Sequence, residues 1–272
     1  MTVISTGLNL PHRSVRPRYR GLTMVIDNGM PLHAFEDAIE STSDYVDCVK
    51  FGWGTAIVTS RLQEKIDCLS GLGIDHYFGG TLFEKFVVQH DFDAYLDLCR
   101  QFGCRVIEIS NGTIPMSNRE KAEYIAEAAT EFSVLSEVGY KESERCAQLT
   151  GDDWTRCINE DLAAGATRVI AEARESGKSG ICRSDGTLRF DLIEEILASG
   201  IDANRLVFEA PTKEMQSFFI KRLGAEVNLA NIAPSDVVGC ETLRLGLRSD
   251  TLLHFELERQ HQKEIAADAS TG

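Results

Sequence analysis

The sequence predicts an α/β fold, a closed (β/α)8 barrel of TIM type built as a single domain. Eight short, near-continuously apolar runs alternate with eight amphipathic stretches along the 272 residues, the signature of repeated βα units. The runs lack the in-out alternation of a half-solvated sheet, so helices cover both the sheet and its edges. No glycine-rich fingerprint follows the first run, which disfavours an open doubly wound sheet.

Taken in order, the predicted strands are GLTMVID (21–27), YVDCVKFG (45–52), DHYFGG (75–80), RVIEIS (105–110), SVLSEV (133–138), RVIAEA (168–173), RLVFEA (205–210) and EVNLANI (226–232). Helices are predicted over 31–42, 61–72, 91–102, 117–131, 151–164, 189–199, 213–223 and 235–247. Glycines close several of them, in LSGLG, CRQFG, LAAG, ILASG and KRLG, where a left-handed cap needs no Cβ. Thr150 and Asp153 are spaced as a capping box for the fifth helix. ICRSDGTLR reads as a small hairpin on an Asp-Gly turn. Residues 1–20 form a basic arm expected to be solvated, 21–254 the barrel, and 255–272 a polar tail.

The net charge is −14, and residues 1–26 hold four arginines and no acid, which leaves −18 for the remainder. An anionic body disfavours nucleic acid and anionic lipid as partners. No uncharged stretch approaches bilayer-spanning length, and the N-terminus lacks the charge order of a secretory signal. The expectation is a soluble, cytoplasmic protein. The eight cysteines form no C-x-x-C pair and read as reduced apolar side chains. GKS at 178 does not make a P-loop, because its first glycine would fall on Glu172.

Chemistry enters at the strand ends. Strands four to seven each carry one glutamate, Glu108, Glu137, Glu172 and Glu209; strand one ends in Asp27, strand two in Lys50, and strand eight holds Asn228 and Asn231. Helices cover the outer face, so these charges are expected to point into the barrel top. Converging carboxylates repel one another and need compensation. Lys50, Lys141 and Arg174 are candidates, as is a hard divalent cation, with Mg2+ favoured over zinc by the absence of clustered Cys and His. Asp27, Glu137, Glu172 and Glu209 are the candidate metal ligands. The loop ARESGKSG offers Arg174, Ser176, Gly177 and Lys178 to an anionic group, and Asn228 is added from strand eight. FGWGT and FGGTLFE place glycines where backbone can approach a ligand closely.

Together GLTMVIDNG, DYVDCVKFGWGT, GGTLFE, IEISNGTI, SEVGYK, ARESGKSG, VFEAP and VNLANIAPSDVVGCETLRLGLRSDT resemble the phosphosulfolactate synthase family from about residue 20 to 252. The resemblance implies a Mg2+-dependent barrel enzyme and a homo-oligomer. Its reaction adds sulfite to phosphoenolpyruvate, giving (R)-2-phospho-3-sulfolactate on the way to coenzyme M. The family's proton donor, the lysine of E-V-G-x-K, falls on Lys141. Lys50 is then assigned to sulfite or carboxylate, with Glu108 beside it. Two positions depart from the family pattern, Asn28 where D-K-G is common and Asn111 where I-S-D-G is common. They leave open a related enzyme using another nucleophile, or a non-catalytic relative that binds a phosphometabolite.

Overall fold

A computed structural model describes residues 7–174, 176–257 and 260. The strands are β1 (Thr23–Asp27), β2 (Cys48–Phe51), β3 (Asp75–Phe78), β4 (Val106–Ile109), β5 (Ser133–Val138), β6 (Arg168–Ala171), β7 (Leu206–Glu209) and β8 (Leu229–Ile232). All ladders are parallel, in the order β3-β2-β1-β8-β7-β6-β5-β4. β1 pairs with β8, so the sheet curls into a barrel, nearly closed at β3 and β4.

Two apolar layers follow from the two-residue side-chain period. Met24, Cys48, Tyr77, Leu135, Ile170, Val207 and Ala230 fill the barrel interior. Their neighbours Val25, Val49, Phe51, Phe78, Ile107, Val134, Val169 and Phe208 face the surrounding helices. The helices lie where the sequence predicts, with Thr55–Val58, Gly80–Val88 and Ser143–Ala147 added, and with 252–257 helical as well, into the predicted tail. The capping box at Thr150 forms, and Gly73, Gly103, Gly165, Gly200 and Gly224 all take positive φ at helix ends. The hairpin closes through Arg183 N to Thr187 O, 2.7 Å, and Gly186 N to Arg183 O, 2.9 Å. All eight cysteines are free thiols. Among the described residues no helix is long and apolar enough to cross a membrane.

The arm differs from its solvated expectation. Arg13 reaches Glu241 at 2.9 Å, Glu226 at 2.8 Å and the carbonyls of Ala225 and Gly21 at 2.9 and 3.0 Å. Arg18 binds both oxygens of Asp47 and the carbonyl of Tyr45. The guanidinium groups find carbonyls and carboxylates that the barrel base leaves unpaired, and so lace the arm to it. Of the predicted tail, 258, 259 and 261–272 lie outside the described residues, and Phe255 is buried against the core.

Candidate active site

The strand period places one polar side chain from each of five strands at the C-terminal mouth of the barrel. Lys50 lies two residues past interior Cys48, Glu108 two past Val106, Glu137 past Leu135, Glu172 past Ile170 and Glu209 past Val207. All five are buried. Lys50 Nζ sits 2.9 Å from Glu108, 3.7 Å from Glu137 and 3.6 Å from Glu209. Lys141, just past β5, stands 3.2 Å from Glu137 and 3.8 Å from Glu172, with Thr81 Oγ1 at 3.3 Å.

Burial works to discharge both lysines, but the surrounding carboxylates outweigh it and hold both ammonium groups above the ordinary lysine range. Among the carboxylates the outcomes diverge. Burial raises Glu108 to about 7, against the pull of Lys50 and with the help of Glu137. Burial also opposes ionisation of Glu137, yet Lys141 and Lys50 hold it down at about 2. Glu172, raised by burial and then by the Glu137 and Glu209 charges, keeps a proton far above the usual carboxylate range. Environments that split neighbouring carboxyl groups this widely are typical of functional sites.

Several oxygens remain unspent. Among the described residues, both oxygens of Glu137, one each of Glu84, Glu108 and Glu172, and Asn231 Oδ1 make no hydrogen bond. Glu137, Glu172, Glu209 and Asn231 face one small opening, with Lys50, Thr81, Lys141, Arg174 and Trp53 around it. Hard oxygens that face lysine charges but make no hydrogen bond suit a divalent cation that keeps several waters and takes only one or two carboxylates. No three Asp, Glu, His or Cys side chains among the described residues are grouped to hold an ion unaided. These residues would fit a cation completed by water or substrate, to which Glu137 and Glu172 could contribute oxygens. The opening measures about 20 Å3, roughly one water molecule. Larger cavities lie elsewhere, but none gathers this set of carboxylates and lysines.

Three expectations need correction. Asp27 is one residue past inward Ile26, so it faces the helices; Lys65 holds its Oδ2 at 2.5 Å, and the amides of Gly29 and Met30 hold Oδ1 at 2.9 and 2.7 Å. It is not a free metal ligand. Asn228 lies at the opposite end of the barrel, where it accepts from Leu22 N at 3.1 Å and donates to Asn204 O and Leu206 O at 3.1 and 3.0 Å. Its amide completes backbone pairing between β7, β8 and β1 and cannot reach substrate at the mouth. Glu209 points inward as expected, but its Oε2 accepts from Ala173 N at 2.8 Å and Arg174 N at 2.9 Å. That oxygen anchors the loop after β6.

The same loop is folded tightly over the site. Arg174 lines the opening at positive φ, 61°, and donates to Lys141 O at 3.3 Å. Ser176 and Lys178 are exposed and lie outside the opening, while Gly177 is buried. A Cβ on Gly180 would lie 1.6 Å from Glu172 O, so only glycine lets this loop lie against the β6 end. Gly80 serves a related purpose: a Cβ there would lie 2.4 Å from Ser110 Oγ, and without one its amide reaches Glu108 Oε1 at 2.5 Å. Asn111 is spent on Met116 O at 3.0 Å, and exposed Asn28 borders a surface hollow outside the barrel.

One participant, Glu84, escapes the sequence reading, and Asn231 takes the place given there to Asn228. Glu84, in the helix Gly80–Val88, is buried, accepts from Ser110 Oγ at 2.7 Å and adds its charge to those around Lys141. FGGTLFE reads as a glycine loop, so its helix went unpredicted. Asn231, rather than Asn228, is the strand-eight residue at the mouth. A bulge against β1 and a positive φ of 57° turn it inward, out of the regular alternation.

The chain matches the family model for (2R)-phospho-3-sulfolactate synthase (ComA) over residues 11–250. It is 54% identical to the phosphosulfolactate synthase of Bacillus subtilis over 245 residues, covering 90% of this chain and 97% of that one. It is 43% identical to that of Methanothermobacter thermautotrophicus over 246 residues, covering 89% and 95%. Among solved structures, 3-hexulose-6-phosphate synthase from Salmonella typhimurium superposes with a TM-score of 0.55 at 10% identity, covering 82% and 97%; this likeness is one of fold. With a family model spanning the barrel and two synthases matched along nearly their whole length, the chain belongs to the phosphosulfolactate synthase family, enzymes that form a carbon–sulfur bond.

Proposed function

We propose that the chain adds sulfite to phosphoenolpyruvate at the C-terminal mouth, with Lys141 as proton donor and Mg2+ held by Glu137 and Glu172. The observation that carries this reading is the pair of ammonium groups, Lys50 and Lys141, kept charged above an inward ring of carboxylates. An acidic cavity cannot take a trianionic substrate and a dianionic nucleophile without cations. Bound Mg2+ supplies Lewis-acid stabilisation of negative charge on the substrate carboxylate.

The protein's own groups do the rest. The sulfur lone pair of sulfite forms a bond to the methylene carbon, and the C2–C3 π electrons move toward the carboxylate. Lys141 then gives its proton to C2, which restores the carboxylate and leaves 2-phospho-3-sulfolactate; solvent reprotonates the amine. Lys50, fixed by Glu108, offers its charge to sulfite or to the substrate carboxylate. Arg174, with Ser176, Gly177 and Lys178, receives the phosphate once the loop after β6 moves aside, since the opening of about 20 Å3 does not admit the substrate. We assign the enzyme to the cytoplasm as a homo-oligomer without nucleic-acid or membrane partners, in keeping with its acidic surface.

Incubation with phosphoenolpyruvate, sulfite and Mg2+, followed by 31P NMR, is expected to show a phosphosulfolactate resonance replacing the substrate. Phosphoenolpyruvate left unconsumed with sulfite, or consumed only with another nucleophile, overturns this assignment.

A further inference from the structure

The N-terminal ends of the strands enclose a cavity of about 500 Å3, into which the arm contributes Arg16 and Arg18 and the strand starts contribute Arg105 and Arg168. Two carboxylates line the same cavity, Asp47 and Asp75. Four guanidinium groups against two carboxylates leave an excess of two positive charges, inside a protein whose net charge is −14.

The pairing within the cavity is uneven. Arg18 and Asp47 meet at 2.8 Å, and Arg105 and Asp75 at 2.5 Å. Arg16 spends its terminal nitrogens on the carbonyls of Ser43 and Gly73, with Asp47 only at 4.0 Å. Arg168 donates to Tyr19 O at 2.8 Å, has no carboxylate within 4 Å among the described residues, and keeps a buried Nε without a hydrogen bond. Arg205 stands near enough to add repulsion. Burial and Arg205 both work against the Arg168 charge, Asp47 only partly offsets them, and Arg168 Nε is left without a partner, an arrangement that an anion in the cavity would complete.

We propose that the base of the barrel is a second binding site, for a small dianion carrying a phosphoryl head group. The charge excess equals that of such a dianion, and planar guanidinium forks match phosphoryl oxygens in pairs. The volume falls in the range of small-metabolite pockets. The ligand also bridges the arm and the strand starts, so its binding ties residues 16–19 to β4 and β6. This inference is independent of the chemistry assigned to the mouth, which lies at the other end of the strands.

Calorimetric titration of the full chain with inorganic phosphate in low-salt, chloride-free buffer tests it. Wild type is expected to bind, Arg168→Gln to weaken binding at least tenfold and Arg105→Gln about threefold, with Lys141→Ala unchanged. Arg105 is 74% exposed, so its variant remains decisive if circular dichroism shows that Arg168→Gln does not fold. Glycerol 3-phosphate as a second titrant separates the sources: tighter binding than phosphate points to a phosphorylated metabolite, weaker binding to free phosphate. No phosphate binding by wild type, wild-type affinity in both arginine variants, or loss of binding in Lys141→Ala overturns the proposal.

Discussion

The two ends of this barrel carry opposite charge, and they satisfy it in opposite ways. At the mouth, Glu84, Glu108, Glu137, Glu172 and Glu209 surround two lysines, and several carboxylate oxygens have no hydrogen bond among the described residues. At the base, arginines outnumber acids, and Arg13 and Arg18 are nearly saturated by carboxylates and carbonyls. Saturated buried charge makes architecture: it fixes the arm and closes the base. Unsaturated buried charge is costly, and its retention at the mouth marks where a ligand or cation completes the set. Within the base, Arg168 departs from the saturated pattern, which is why it draws attention.

The sharpest division between the two ends comes from Lys141→Ala. Loss of the proton donor is expected to lower kcat by about 1000-fold or more, in the range of removing a general acid or a preorganised charge, and to lower the denaturation midpoint as well, because Lys141 is a main partner of buried Glu137. Steady-state kinetics and urea melts check this together, and retained turnover would break the assignment of Lys141. Lys50→Met is expected to act on stability as well. It strips the shared cation from Glu108, Glu137 and Glu209, at a cost of about 3 to 5 kcal/mol, read from urea unfolding at neutral pH. If Lys50→Met melts like wild type, the carboxylates are neutralised by something else.

A pH experiment comes next in size. Glu108 holds its proton to about pH 7 in the folded chain, whereas an unfolded glutamate releases it near pH 4.5. Its contribution to stability is therefore fully present below about 4.5 and lost as pH rises through 7. Glu108→Gln is expected to flatten the stability profile between pH 5 and 8 and to remove any limb near pH 7 from the kcat/KM profile. A limb that persists in the variant belongs to another group. The smallest expected effect is at the base: Arg13→Gln should cost about 1 to 3 kcal/mol of stability through its lost bonds to Glu226, Glu241 and two carbonyls, with kcat unchanged. A fall in kcat would show that the arm communicates with the mouth.

The barrel was legible because its cause is local. Apolar runs of the right length, helix caps at Thr150 and five terminal glycines, and a glutamate at one register of four successive strands all follow from short-range geometry. The inward ring of Glu108, Glu137, Glu172 and Glu209, with Lys50 beside it, follows from the two-residue strand period alone. The family motifs carried the carbon–sulfur chemistry and pointed to Lys141, which the fold sets 3.2 Å from Glu137. What failed was set by partners distant in sequence. Asp27 is claimed by Lys65, Glu209 by the amides after β6, and Asn228 by three backbone groups around the base. Glu84 joined the site through a helix that its glycine-rich start concealed.

By itself, then, the sequence determined the eight βα units, the inward face of Lys50 and of the four strand glutamates, and the membership of a synthase family. Only the tertiary structure decided which charges remain available. The bulge between β1 and β8 turned Asn231 inward, the arm's arginines folded back onto the base, and the loop after β6 closed over Glu172. The physical reason is that side-chain direction is fixed within two residues of chain. Whether a buried charge is spent or free depends on which groups the closed barrel brings within 3 Å of it.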